Sequence, residues 1–230
     1  MLPNNYQDMN ETSKLNALEA NIQNKFIAKV YTILSLQLAV TFMMNLACYY
    51  SETATKFMLQ QRGLLIISIL VTFLSLFLSF CYGKSYPINY IILAVFTLAE
   101  SYGITYICLF YQATSVLLAW GLTLSIFIGL SIYVHLTKQD FNYLGAGLFA
   151  SLWVLLLGGL IQWIWLPHDQ LLNTFLAILG SIIACGYILY DTSDIMLRLT
   201  PDDFVYACIS LYLDVIMLFI RLLELFGEER

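Results

Sequence analysis

The sequence predicts an all-α integral membrane protein of about seven transmembrane helices. Three observations carry this reading. The chain of 230 residues is 60% apolar and only 11% charged, where a soluble domain is roughly 45–50% apolar and 25% charged. Its mean hydropathy is +0.80. The apolar residues also fall in long unbroken runs, and a bilayer core takes about 20 such residues per helix.

Taken in order, the runs are 26–50, 63–82, 87–110, 113–136, 142–166, 171–196 and 203–226. Glu52, Lys56 and Arg62 separate the first two, and Gly83-Lys84-Ser85-Tyr86-Pro87 the next pair. The break at Tyr111-Gln112 is the weakest of the set. Lys138-Gln139-Asp140 precedes the fifth run, Pro167-His168-Asp169 the sixth, and Arg198 with Thr200-Pro201-Asp202-Asp203 the seventh. A barrel strand is about ten residues of alternating polarity; these runs are longer and continuously apolar, and in lipid that leaves helices. The domain reading is a polar tail (1–25), one transmembrane domain (26–226) and a short acidic tail (227–230). Leu144-Gly145-Ala146-Gly147 and Gly158-Gly159 read as sites of close helix packing.

Charge and cysteine usage exclude several classes. Ten Lys and Arg in a chain of net charge −5 make no basic face for nucleic acid. Cys48, Cys81, Cys108, Cys185 and Cys208 form no C-x-x-C and read as buried thiols. His135 and His168 flank helix ends and read as interfacial groups rather than metal ligands. No Walker loop, H-E-x-x-H or G-x-S-x-G occurs, and no cofactor is expected. Counting Lys and Arg in the loops places Lys14, Lys25, Lys29, Lys84, Lys138 and Arg198 on one side and Lys56, Arg62, Arg221 and Arg230 on the other, which favours a cytosolic N-terminus. The sequon Asn10-Glu11-Thr12 matters only if the N-terminus is luminal. A re-entrant last run would put both termini in the cytosol.

Acids inside a membrane cost about 2.5–3.5 kcal/mol on insertion scales and are functional candidates by default. Glu100, Asp191, Asp214, Arg221 and Glu224 fall inside the runs. Arg221 and Glu224, three apart, read as a local ion pair or as snorkelling groups. If the last hairpin turns near residues 200–201, Asp191 is level with about residue 210 and Asp214 is within one helical turn. Two carboxyls meeting in a low-dielectric bundle share one proton and titrate as a unit. That makes a pH sensor, or, with both ionised, an oxygen-rich site suited to Ca²⁺ in transit. A neutral, purely structural pair is the other reading. Glu100 is either a third acid on an ion path or a hydrogen-bond acceptor from a neighbouring Ser or Tyr.

These residues also carry a family resemblance. KVYTILSLQ (29–37), YPINYIILAVFTLAE (86–100), DFNYLGAGLFASLW (140–153) and YDTSDIMLRLTPDDFVYACISLYLDVIMLF (190–219) resemble the transmembrane Bax inhibitor motif family, in its lifeguard and Golgi anti-apoptotic protein branch. The likeness runs from about Phe26 to Phe226. It implies a bundle wrapped around a central last helix, a Ca²⁺ leak from the endoplasmic reticulum or Golgi, restraint of apoptosis and control by pH. It places the family's paired aspartates on Asp191 and Asp214, an acid at the mouth of the path on Asp202, and an auxiliary acid on Glu100. Two departures stand out. Residues 63–82 lack the arginine that engages the aspartates in some members, and the C-terminus reads Gly227-Glu228-Glu229-Arg230 where many members are basic.

The leading functional expectation is therefore a pH-gated Ca²⁺ leak channel in a lipid bilayer, with Ca²⁺ and protons as partners. A non-conducting protein that binds apoptotic regulators or Ca²⁺ channels is the second, a proton-coupled antiporter the third, and a homo-oligomer is open for each. An intramembrane aspartyl protease fits poorly, because Leu211-Tyr212-Leu213-Asp214 replaces GxGD, and no enzyme is expected. A retinal protein needs a lysine in a late helix, and residues 142–230 have none.

Overall fold

The structure, a computed structural model, describes residues 4–165 and 169–228, with side chains from Lys14 onward, Asn16 and Trp163 apart. The sequon side chain at Asn10, Pro167-His168 and the last two residues lie outside the described residues. Eight α-helices follow in order: α1 (Asn4–Tyr50), α2 (Glu52–Gln60), α3 (Arg62–Tyr82), α4 (Ile88–Cys108), α5 (Ala113–Thr137), α6 (Gly145–Trp165), α7 (Gln170–Leu197) and α8 (Phe204–Phe226). Seven of the described helices are long and apolar enough to cross a membrane, α2 being the exception.

Two stretches read as tail and break are helical. No Gly or Pro interrupts the chain from Asn4 to Tyr50, so the polar N-terminal residues continue into the first span as one helix of 47 residues. Residues 52–60 form α2 because Ser51 caps it, its hydroxyl accepting from the Ala54 N–H at 3.3 Å, and Glu52 pairs with Lys56 at 3.4 Å. Later boundaries also have local causes. Asp169 caps α7 by accepting from the N–H groups of Leu171 and Leu172. Thr200 and Asp203 form a capping box around a single 3-10 turn, Pro201–Asp203, that leads into α8. The weak break after α4 is real: Cys108 ends the helix and the Gln112 N–H donates to the Glu228 carbonyl at 2.9 Å. The Glu228 N–H in turn donates to the Ser115 hydroxyl at 3.0 Å, so the C-terminal segment is pinned over that corner.

α8 is the central helix. Its span is 67% buried, against 17% for α3, and it touches α1, α3, α4, α5 and α7. Its core is aromatic: Phe219 stacks on Trp120 with centroids 4.5 Å apart, and Tyr212 meets Phe96 edge-on at 5.7 Å. α6 packs on α7, where Gly145 faces Tyr190 and Gly158 faces Leu176. Gly147 and Gly159 face open space, so only one glycine of each small cluster serves packing. The cysteines are all free. Cys48, Cys108 and Cys208 are buried and Cys185 is intermediate, but Cys81 is exposed on the outer side of α3, contrary to the expectation of buried thiols.

Candidate functional site

α7 and α8 form an antiparallel hairpin turning through Leu199–Thr200. Asp191 stands six residues before the end of α7 and Asp214 ten residues into α8, which sets them at comparable depth. The two carboxyls lie against each other within hydrogen-bonding reach, and Ser210 also reaches Asp191. Each aspartate is 8% exposed. Asp214 Oδ2 has no partner among the described residues. A doubly charged pair enclosed in this way is costly, and a single shared proton lets one carboxyl donate to the other.

The surroundings of the pair are phenolic and acidic rather than basic. Tyr187 and Tyr190 on α7 and Tyr206 on α8 stand around it, with Asp194 one turn below Asp191. The charge of Asp194 is met by Arg198, at 3.3 Å. Arg198 Nη2 also donates to both Asp140 carboxylate oxygens, at 2.6 and 2.7 Å, joining the end of α7 to the loop between α5 and α6. Arg198 thus pairs with Asp194 and Asp140, and the second span supplies no cation to the aspartates.

Asp202 is exposed in the turn before α8 and lies near Lys84. Lys84 forms its close ion pair with Asp203, at 2.8 Å. Lys29 sits over the Phe204 ring at 3.3 Å, and the Gln23 amide donates to the Ile195 carbonyl at 2.8 Å, closing the end of α7. Glu100 is not beside the aspartates. It faces Thr72 of α3, whose hydroxyl reaches its carboxylate, in a cleft of about 460 Å³ between α3, α4 and α8. Arg221 and Glu224 form the local ion pair at 2.8 Å. His135 is exposed. No group of three or more His, Cys, Asp or Glu side chains able to hold a metal occurs among the described residues.

A second polar feature escaped the sequence reading. Gln37, Thr41 and Asn45 lie on one stripe of α1, and Thr97, Ser101 and Thr105 on the facing stripe of α4, all buried. Gln37 donates to Thr97 at 2.9 Å, and the Thr41 hydroxyl lies 2.8 Å from Ser101 and 2.9 Å from Tyr212. This seam ties α1 and α4 to α8 two residues before Asp214. Its signal was present as polar residues at four-residue spacing in two apolar runs, a pattern that uncharged side chains make easy to pass over.

Comparison with known proteins agrees with this architecture. The family described as "Inhibitor of apoptosis-promoting Bax1" matches residues 23–230. The chain is 36% identical to Protein lifeguard 4 of Mus musculus, over 94% of this chain and 90% of that protein. It is 34% identical to the Golgi anti-apoptotic protein of Vaccinia virus (strain Lister), over 95% and 91%. It is 36% identical to Bax inhibitor 1 of Schizosaccharomyces pombe, over 90% and 77%. The likeness spans every transmembrane helix, including the hairpin that joins Asp191 to Asp214, and so this integral membrane protein belongs to the Bax inhibitor motif family.

Proposed function

We propose that the protein is a pH-sensitive Ca²⁺ leak channel of intracellular membranes that lowers store Ca²⁺ and thereby restrains apoptosis. The observation that carries this reading is the enclosed pair Asp191–Asp214 on the central helix hairpin, with one Asp214 oxygen left without a partner. In the closed state the pair shares a proton and holds α7 to α8. Raising the pH removes that proton, the two charges repel, and the hairpin favours an open arrangement. Asp214 then lines the path, and Asp202, exposed at the turn, attracts cations to its mouth. The names of the relatives support an anti-apoptotic role, and that of the viral one supports Golgi residence. The lysine and arginine bias of the loops supports a cytosolic N-terminus.

The test is Ca²⁺ influx into dye-loaded liposomes holding the purified full-length protein, followed from mildly acidic to mildly alkaline pH. Influx rises with pH in the wild type and needs no counter-gradient, which separates a leak from an antiporter. Asp191→Asn and Asp214→Asn flatten the pH response. If Asp214→Asn leaks like wild type with the same pH response, the gating role is wrong. If wild type does not exceed empty vesicles, the protein acts on Ca²⁺ through partners.

A further inference from the structure

Glu100 belongs to the span of α4 and stands in the wall of the cleft of about 460 Å³ between α3, α4 and α8. That volume, lined by apolar side chains with a few polar groups among them, is typical of a small-ligand site. Glu100 is half-buried, enclosed without being sealed off. Ser68 and Thr72, one helical turn apart, stand in the facing wall on α3. Ile69 and Phe73 of α3 also line the cleft and are 47% and 66% exposed. The cleft therefore opens on the outer, lipid-facing surface, and Leu213 and Ile220 of α8 make its floor.

The polar groups of the cleft act as acceptors. The Thr72 hydroxyl donates to the Glu100 carboxylate, and the Ser68 hydroxyl donates to the Leu65 carbonyl at 2.8 Å. With both protons committed, the three side chains offer carboxylate oxygens and hydroxyl lone pairs. A phosphate or a carbonyl brings acceptors only and is a poor match. An ammonium brings three donors and no acceptor and is the complement. Charge points the same way. An ionised acid inside a span is costly, whereas an acid and an amine that share a proton carry no net charge, whichever of them holds it. Space is provided by Gly103, three residues after Glu100 and in the same wall. A Cβ at Gly103 would meet no atom within 4 Å.

We propose that this cleft is a binding site for a membrane-soluble alkylamine. The amine sits between Glu100, Thr72 and Ser68. Its alkyl chain lies along Gly103 and the α8 floor and leaves between Ile69 and Phe73 into the bilayer. Entry is from hydrocarbon, so the ligand needs the chain as well as the amine. The site uses neither Asp191 nor Asp214 and does not depend on the channel reading.

The test uses the purified full-length protein in phosphatidylcholine nanodiscs that carry a trace of octadecylamine with a photoactivatable group in its chain, and the labelled peptides are mapped. Labelling concentrates on residues 65–73 and 100–107 and exceeds that of the exposed face of α6. Unlabelled octadecylamine displaces it, and octadecanol, the same chain without the amine, does not. Glu100→Gln keeps the shape of the wall and removes the acid. Gly103→Leu keeps the acid and fills the cleft from a position with open space, in a helix that leucine suits better than glycine. Each lowers labelling of these peptides several-fold. Gly103→Leu leaves the unfolding midpoint unchanged or higher, so it decides the matter if Glu100→Gln weakens the fold. Labelling that is even over all lipid-facing helices, or that survives both variants, identifies ordinary boundary contact and overturns the proposal. Equal displacement by octadecanol identifies an apolar groove without amine recognition and also overturns it.

Discussion

Thr41 shows how much one uncharged residue can hold inside a membrane bundle. It is fully buried and its hydroxyl lies within 3.0 Å of the Gln37 carbonyl, Ser101 and Tyr212. Buried hydrogen-bonding groups have no water to fall back on, so Thr41→Val takes a partner from both Ser101 and Tyr212, which retain only each other. The expected loss is about 1–3 kcal/mol, read as a lower unfolding midpoint in detergent, and Thr41→Ser restores most of it. An unchanged midpoint in Thr41→Val would mean that the seam contributes nothing. One rung along the same stripe, the Asn45 amide has no partner among the described residues. Neither residue stood out beside the charged groups, because insertion cost ranks residues by charge and is blind to who meets whom.

At the scale of elements, the approach of α7 to α8 depends on missing side chains. A Cβ on Gly180 would stand 2.7 Å from Arg221 Nε and 2.8 Å from its Cδ. These atoms lie midway along a side chain held by Glu224 at 2.8 Å, so they cannot swing clear without breaking that pair. Gly180→Ala is expected to cost about 1–3 kcal/mol by overpacking, and truncating Arg221 to Ala in the same chain relieves most of it. Independent, additive losses would show that the two do not meet. The clamp at the other end of α7 predicts a pH effect. Asp140 is held below the usual carboxylate range, first by the Asn142 backbone N–H and then by Arg198. A lowered folded-state pKa means that its contribution is complete above the ordinary carboxylate range and is lost as pH falls through the folded value. Arg198→Gln therefore lowers the unfolding midpoint at neutral pH, and the gap to wild type closes on acidification. Because Asp140 is largely exposed, added salt narrows the gap too. A gap independent of pH would point to packing by Arg198 instead.

For the whole molecule, an apolar core is matched by an apolar surface, and on α3 the arrangement of a soluble helix is inverted. The buried face of α3 is Ser68, Thr72 and Ser75, while Ile66, Leu70, Phe73, Phe77 and Phe80 face outward. Such a surface is stable only in hydrocarbon, and it leaves the polar groups of the core as the contacts that specify which helices meet. The lysine and arginine bias predicts the orientation of this bundle. In cells, Asn10 stays unglycosylated, whereas an acceptor site placed in the α2–α3 connection is modified. Glycosylation at Asn10 would reverse the assignment and place Asp202 on the luminal side.

Length and composition determined by themselves that the chain crosses a membrane about seven times, since hydrocarbon demands continuous apolar runs and satisfied backbones. The pairing of Asp191 with Asp214 was legible as well, because a short hairpin ties residues equidistant from its turn to one depth, and Ser210 stands where that register puts it. The helical continuity of residues 4–25 with the first span, and the helix at 52–60, were hidden by their polarity, which says nothing against a helix that has left the bilayer. What only the tertiary structure decided were contacts between segments far apart in the chain. Glu100 faces Thr72 rather than the aspartates, and Arg198 reaches Asp140. Hydropathy records how deep a residue lies, but which face of a helix it occupies, and who stands opposite, is settled only when the helices pack.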